Sequence, residues 1–391
     1  MSTGSLPVLA KNAKQFVPGM AAFAGNFTSN LGLLKKYKDR QYAHAPQEHR
    51  EVAEEWDTDY WKRGWCQKKN MWVDKELSTE MTRKDIASLM QFKMDGWRVG
   101  AWGLPTAVTG GWGLAVLPVW LANDTWQPST MPQTPEALAE WREAQDMYRY
   151  KYAPGVCTAF RWWLEHCAPV PDKFAHGWEE LNNERNNVRR DAKAIAELSP
   201  MYDCFQTMKW VRRTQARAMG RAMGFPTFPT LSKISVMTRI KDYWELAWNE
   251  DYMVMKGNLL ESMTDEEVQD YAWRRYLSPF DKKLTREQVL ERIADYHTVL
   301  GGEKFLETGE ACNIYVLTTF CFQHYFEPAF LEGDISELDG NDFENITQWG
   351  KDVYLQRLEF ENGPLRDQVE AYGQKKIEER EAKMKAIDGS A

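Results

Sequence analysis

Residues 99–122 read VGAWGLPTAVTGGWGLAVLPVWLA and carry no charge; Asp95 and Arg98 stand before them and Asp124 after. About 20 such residues cross a bilayer as a helix. Trp97, Trp102, Trp112, Trp120 and Trp126 punctuate the stretch, and Trp favours the membrane–water interface. A straight rod is a poor reading. Gly110-Gly111 sits at the centre, and Pro105 and Pro118 lie toward the ends, so the backbone is invited to break. Two readings fit: a membrane-contacting segment bent near Gly110-Gly111, and a pair of buried helices inside a soluble bundle. The first is the expectation taken here, with those five tryptophans as the membrane-contacting residues.

Outward from this stretch the pattern is helical. Before it, Leu34–Trp72 places aromatics at three- and four-residue spacing, and Thr82 with Asp85 has the form of a capping box. After it, Pro128 and Pro132 form an exit turn, and Thr134-Pro135 starts a helix through Tyr148. Further helical patterns cover Pro154–His166, Phe174–Leu198, Leu231–Met255, Thr264–Tyr276, Thr285–Leu300 and Gly302–Phe330. Gly301-Gly302 reads as a turn. No run alternates with a period of two, so the class is all-α. The ends differ from the middle. Residues 1–30, rich in Gly, Ser and Asn, read as an extended arm ordered by a neighbour. The acidic segment 332–345 is read as no calcium loop: with Gly340 sixth, Ile335 falls first and cannot ligate. A charged helix over Leu365–Met384 closes the chain. The expected units are 1–30 (arm), 31–130 (N-terminal helices and membrane-contacting segment), 131–330 (helical domain) and 331–391 (acidic loop and charged helix).

The chemistry on offer is sparse. A net charge of −8 over 391 residues opposes nucleic-acid binding by the whole surface. The six cysteines include no zinc spacing and read as reduced, mostly buried thiols. The six histidines are scattered, and there is no phosphate-binding or dinucleotide glycine motif. No catalytic residue, metal site or cofactor is therefore expected. One constellation is local and charged. Lys209, Arg213, Arg217 and Arg221 recur every fourth residue beside Arg212, with no acid between Lys209 and Lys241. On a helix they make a basic stripe suited to an anionic lipid such as cardiolipin, or to an acidic partner. A solvated face paired with acids elsewhere in the fold explains the stripe equally.

Two stretches together resemble the mitochondrial leucine-zipper/EF-hand-containing transmembrane (Letm) family. In Met81–Met131, MTRKDIASLMQFKMDGWR precedes the apolar turn-back segment and LPVW…WQPSTM follows it. In Met208–Leu300, SKISVMTRIKDYW, NLLESMTDEEVQDYAWRRY and LTREQVLERIADYHTVL follow in order. The resemblance covers roughly residues 35–300. It implies an inner-membrane mitochondrial protein with a matrix-side helical bundle similar to 14-3-3 proteins, and it implies cation/proton exchange or mitoribosome tethering. This chain departs from the pattern: no acid lies between Asp95 and Asp124, where the family carries a membrane carboxylate. Proton-coupled exchange needs such a group. The expectation is therefore a non-catalytic accessory subunit of an inner-membrane energy-converting complex, holding its other subunits. ATP synthase comes first and a respiratory-chain complex such as cytochrome c oxidase second.

Overall fold

The computed structural model describes residues 5–44, 72–108, 117–122, 126–132, 134–167, 175–182, 191–198, 213–226, 233–279, 284–312 and 314–325. Among them every regular element is helical: α1 (Ser5–His44), α2 (Arg83–Val108), α3 (Leu117–Leu121), α4 (Pro135–Cys167), α5 (Ala175–Asn182), α6 (Ala192–Glu197), α7 (Arg213–Ala222), α8 (Lys233–Lys256), α9 (Asp265–Arg274), α10 (Arg286–Leu300), α11 (Gly302–Thr308) and α12 (Ile314–Phe322). The all-α expectation holds for these residues.

Local chemistry sets several helix starts. Thr82 Oγ1 accepts from the Asp85 amide at 3.2 Å, and the Asp85 carboxylate accepts from the Thr82 amide at 2.8 Å. Thr264 with Glu267 and Thr285 with Gln288 form complete capping boxes ahead of α9 and α10. Each satisfies two amides that the first helical turn leaves without partners. Gly301 at φ 134° and Gly302 at φ 53° make the turn between α10 and α11, a backbone that side chains rarely adopt.

Two expectations along α1 and α4 need correction. The segment read as an extended arm is the first part of α1, which continues through Pro18 to His44. It is helical because α2 and α3 hold it. Asn12 Nδ2 donates to the Leu121 carbonyl at 2.8 Å, Phe16 meets Trp120 edge to face, and Phe23 stacks on Phe92. At Gly19 the fit is tight: a Cβ there would stand 2.7 Å from Met131 Cα. Farther along, Arg40 pairs with Asp74 and Glu80. The helices expected through Tyr148 and over Pro154–His166 are one helix, α4, which runs through Pro154. The expected helix over Gly302–Phe330 instead divides at Gly309, which caps α11 in the left-handed conformation at φ 78°.

One core gathers Tyr37 of α1, Met90 of α2, Tyr150 of α4, Trp244 of α8, Tyr296 of α10 and Phe322 of α12. It runs across the division drawn at residue 130, because α8 lies along α2. A smaller cluster joins Trp120, Leu121 and Met131 to Phe16 and Met20. The acidic segment 332–345 and the helix expected over Leu365–Met384 lie outside the described residues.

α5 and α6 touch so closely that only glycine fits between them. A Cβ on Gly177 would lie 2.1 Å from the Ala194 carbonyl oxygen, a backbone atom that cannot rotate away. Gly177→Ala is expected to push the two helices apart and cost about 1–3 kcal/mol, as overpacked contacts do. Urea unfolding of the variant measures it.

Candidate functional site

The most concentrated chemistry in the described residues is buried. α8 carries Glu250 and Asp251, both fully buried, on the side that faces the end of α9. There Arg274 holds Glu250 with two bonds, at 2.5 and 3.0 Å. Arg275 bridges the adjacent acids, reaching Glu250 at 3.0 Å and pairing with Asp251. Asp251 also accepts from the Tyr271 hydroxyl at 2.5 Å and the Tyr296 hydroxyl at 2.6 Å. His297 of α10 closes the set, its Nε2 2.8 Å from the Tyr271 oxygen. Because the Tyr271 hydroxyl donates to Asp251, its oxygen accepts the Nε2–H of a neutral His297.

The electrostatics follow from this packing. Burial pushes the Glu250 carboxyl up, but Arg274 and Arg275 outweigh it and bring it down to about 2. For Asp251 burial wins over Arg275 and the two tyrosines, and its carboxyl lies above the usual range. Burial, helped by the Arg275 charge, takes His297 down to about 3, so it is neutral at pH 7. A second node continues inward on α4: Arg149 bonds Asp146 at 3.1 Å and the Tyr325 hydroxyl at 2.9 Å, while the Trp273 indole donates to Asp146 at 2.9 Å. A third lies on α2, where Arg98 bonds Asp95 at 3.3 Å and Gln145 at 3.0 Å, and Asp95 accepts from the Ser129 amide at 2.8 Å. Chemically these are closed sets, in which each carboxylate is already engaged by internal donors.

An open groove of about 940 Å³ lies where α2, α4, α9 and α10 meet. Its walls alternate in sign and are ion-paired: Arg83 and Lys84 with Glu267, Arg142 with Asp270, Arg286 with Asp265. Such a surface offers polar recognition. Among the described residues no group of three or more His, Cys, Asp or Glu is placed to hold a metal.

The residues singled out in the sequence do not converge on one place. Of the basic stripe, Lys209 and Arg212 lie outside the described residues, and Arg213 opens α7. Arg217 and Arg221 are half-buried, and the Arg221 guanidinium stands 5.6 Å from the Tyr152 ring of α4. This part of the stripe is thus partly enclosed by α4. The tryptophans separate. Trp97 is 37 % exposed, with the Arg239 guanidinium 3.8 Å from its ring centroid. Trp120 is 1 % exposed and donates to the Arg98 carbonyl at 3.1 Å, and Trp126 packs on its cluster. Trp102 lies on α2; Trp112 and the Gly110-Gly111 bend lie outside the described residues. No described helix is long and apolar enough to cross a membrane. Cys312 and Cys321 are buried.

The buried network was missed in the sequence, although α8 carries its signature. Ile240, Trp244, Ala247, Asp251 and Val254 recur at helical spacing, which puts an acid on an apolar face. No protein-family model matches this chain, and no curated protein matches it either.

Proposed function

We propose that this chain is a non-catalytic structural subunit of a mitochondrial inner-membrane energy-converting complex, with ATP synthase first and a respiratory-chain complex such as cytochrome c oxidase second. Its work is to hold other subunits, and its bulk lies on the matrix side. The observation that carries the non-catalytic part is the closure of the buried network. Asp251, Glu250 and His297, the groups best tuned for proton chemistry, are bonded to one another's partners and not to an open cleft. The membrane assignment rests on the uncharged stretch 99–122 and on the Letm resemblance. The missing acid between Asp95 and Asp124 argues against the exchange activity that resemblance implies. Anionic lipid and neighbouring subunits are the partners, with the basic stripe and the ion-paired groove as the surfaces offered to them.

The test is to tag the full chain in its native membranes and follow it on native gels with mass spectrometry. Co-migration with one energy-converting complex, and loss of that complex when the chain is depleted, is the expected result. Purified protein in liposomes is expected to show no cation/proton exchange above background. Robust exchange, or migration only with ribosomes, would replace this reading with the Letm-type ones.

A further inference from the structure

Between α2, α4, α8 and the end of α9 lies a small cavity of about 20 Å³. Three arginines line it, Arg98, Arg149 and Arg274, together with Trp141, Tyr243 and Tyr276; among the described residues no carboxylate forms part of its wall. The acids that pair with these arginines grip them at other edges. Asp95 takes Arg98 through Nη1, and Asp146 takes Arg149 through Nη1. Glu250 takes both Nη atoms of Arg274, and Asp270 takes its Nε.

Two donors are left over. Arg98 Nε and Arg149 Nε are buried and have no hydrogen-bond acceptor among the described residues. The residues are only 3 % and 5 % exposed, so bulk water does not serve them. A buried donor without an acceptor costs roughly 1–3 kcal/mol, and more on a charged group. Aromatic rings pack on both guanidiniums: the Trp141 centroid lies 5.0 Å from Arg98, and the Trp273 centroid 4.0 Å from Arg149. The two Nε–H groups remain for a ligand. Burial and the nearby Arg149 charge both lower the pKa of Arg98, with Asp95 opposing them, so the two cations feel each other across the protein interior.

We propose that this cavity is a buried site for one small monatomic anion, chloride in the cell, held between Arg98 Nε and Arg149 Nε. The wall chemistry favours an anion: three guanidinium residues line the cavity, while the carboxylates that pair with them stand behind its lining. The volume selects the size. About 20 Å³ is a little more than the roughly 10–15 Å³ that a single water needs, so a halide fits and a phosphate or nucleotide does not. Gly224, at φ 86°, lies so close that a Cβ would stand 3.1 Å from Arg98 Nη2 and 3.2 Å from Gln145 Oε1. The anion would tie α2 to α4 at the point where both pack on the α8–α9 network. It adds a structural ligand to the fold and does not depend on which complex the chain joins.

Bromide is the probe. Crystals of the full chain grown in sodium bromide are expected to show an anomalous peak within hydrogen-bond distance of both Nε atoms. In solution, thermal unfolding at constant ionic strength is expected to show a Tm that rises saturably as chloride replaces gluconate, which is too large to enter. Arg98→Lys keeps the charge but removes the Nε donor, and it should weaken the apparent chloride affinity at least tenfold. If that variant does not fold, the bromide map of the unaltered chain decides alone. A water or empty density at the site would overturn the proposal, and so would equal Tm values in chloride and gluconate.

Discussion

Replacing Arg275 with methionine is expected to destabilise the fold by about 3–5 kcal/mol, the usual cost of removing one partner from a buried ion pair. Arg275 is fully buried and serves four acceptors: Asp251, Glu250, and the carbonyls of Tyr271 and Ala247. Without it Asp251 keeps only two tyrosine hydroxyls against full burial, and Glu250 keeps Arg274 and a longer contact to Arg83 at 3.6 Å. An uncompensated acid in the interior must then be paid for by protonation or by water entry. The double variant Arg275→Met with Asp251→Leu removes charge from both sides of the pair. It is expected to recover a large part of the loss, because a well-packed apolar replacement of a buried pair is often neutral. Urea unfolding of the two single variants and the double variant gives the coupling. A loss below about 1 kcal/mol for Arg275→Met would show that the network is not held as described.

How much of this was legible beforehand depends on how local the cause is. The starts of α9 and α10 lie in four-residue patterns, Thr264 with Glu267 and Thr285 with Gln288, and the sequence reading placed both helices within about two residues of their observed ends. α1 was misread because its cause is distant. Gly, Ser and Asn lower helix propensity along residues 1–30, and what overrides them is packing against α2 and α3, from Asn12 to Leu121 and from Phe23 to Phe92. The same holds for the tryptophans. Trp120 in an uncharged run reads as a membrane residue until Phe16, more than a hundred positions away in the chain, is seen against its ring. The anion cavity was least legible of all. Arg98 and Arg149 each sit three residues after an acid, Asp95 and Asp146, which looks like an ordinary surface pair on a helix. Only the packing of α2, α4, α8 and α9 reveals that both are interior and that each has a donor to spare.

Acid should unfold the protein earlier than its surface carboxylates require, and His297 is the reason. Its folded-state pKa of about 3 lies below the ordinary value of 6.5. Between those two pH values the unfolded chain takes up a proton at His297 and the folded chain does not. Stability from this group is therefore fully present above about pH 6.5 and declines as pH falls toward 3. Each pH unit inside the window is worth at most about 1.4 kcal/mol. Since His297 as a whole is only half-buried, the expected loss from pH 6.5 to 4.5 is about 2 kcal/mol. Glu250 acts in a lower window: its stabilisation is present above its unfolded value near 4.5 and is lost as pH falls through about 2. Asp251, with its carboxyl raised, takes up its proton earlier in the folded state and opposes both. The separation of the windows makes the assignment testable. His297→Gln retains a donor toward Tyr271 and cannot titrate. Its unfolding free energy, measured in urea between pH 6.5 and 4.5, is expected to lack the downward slope of the unaltered chain, with the Glu250 decline still present below pH 4.5. An unchanged slope in the variant would assign the acid sensitivity to another group and remove His297 from the network's pH response.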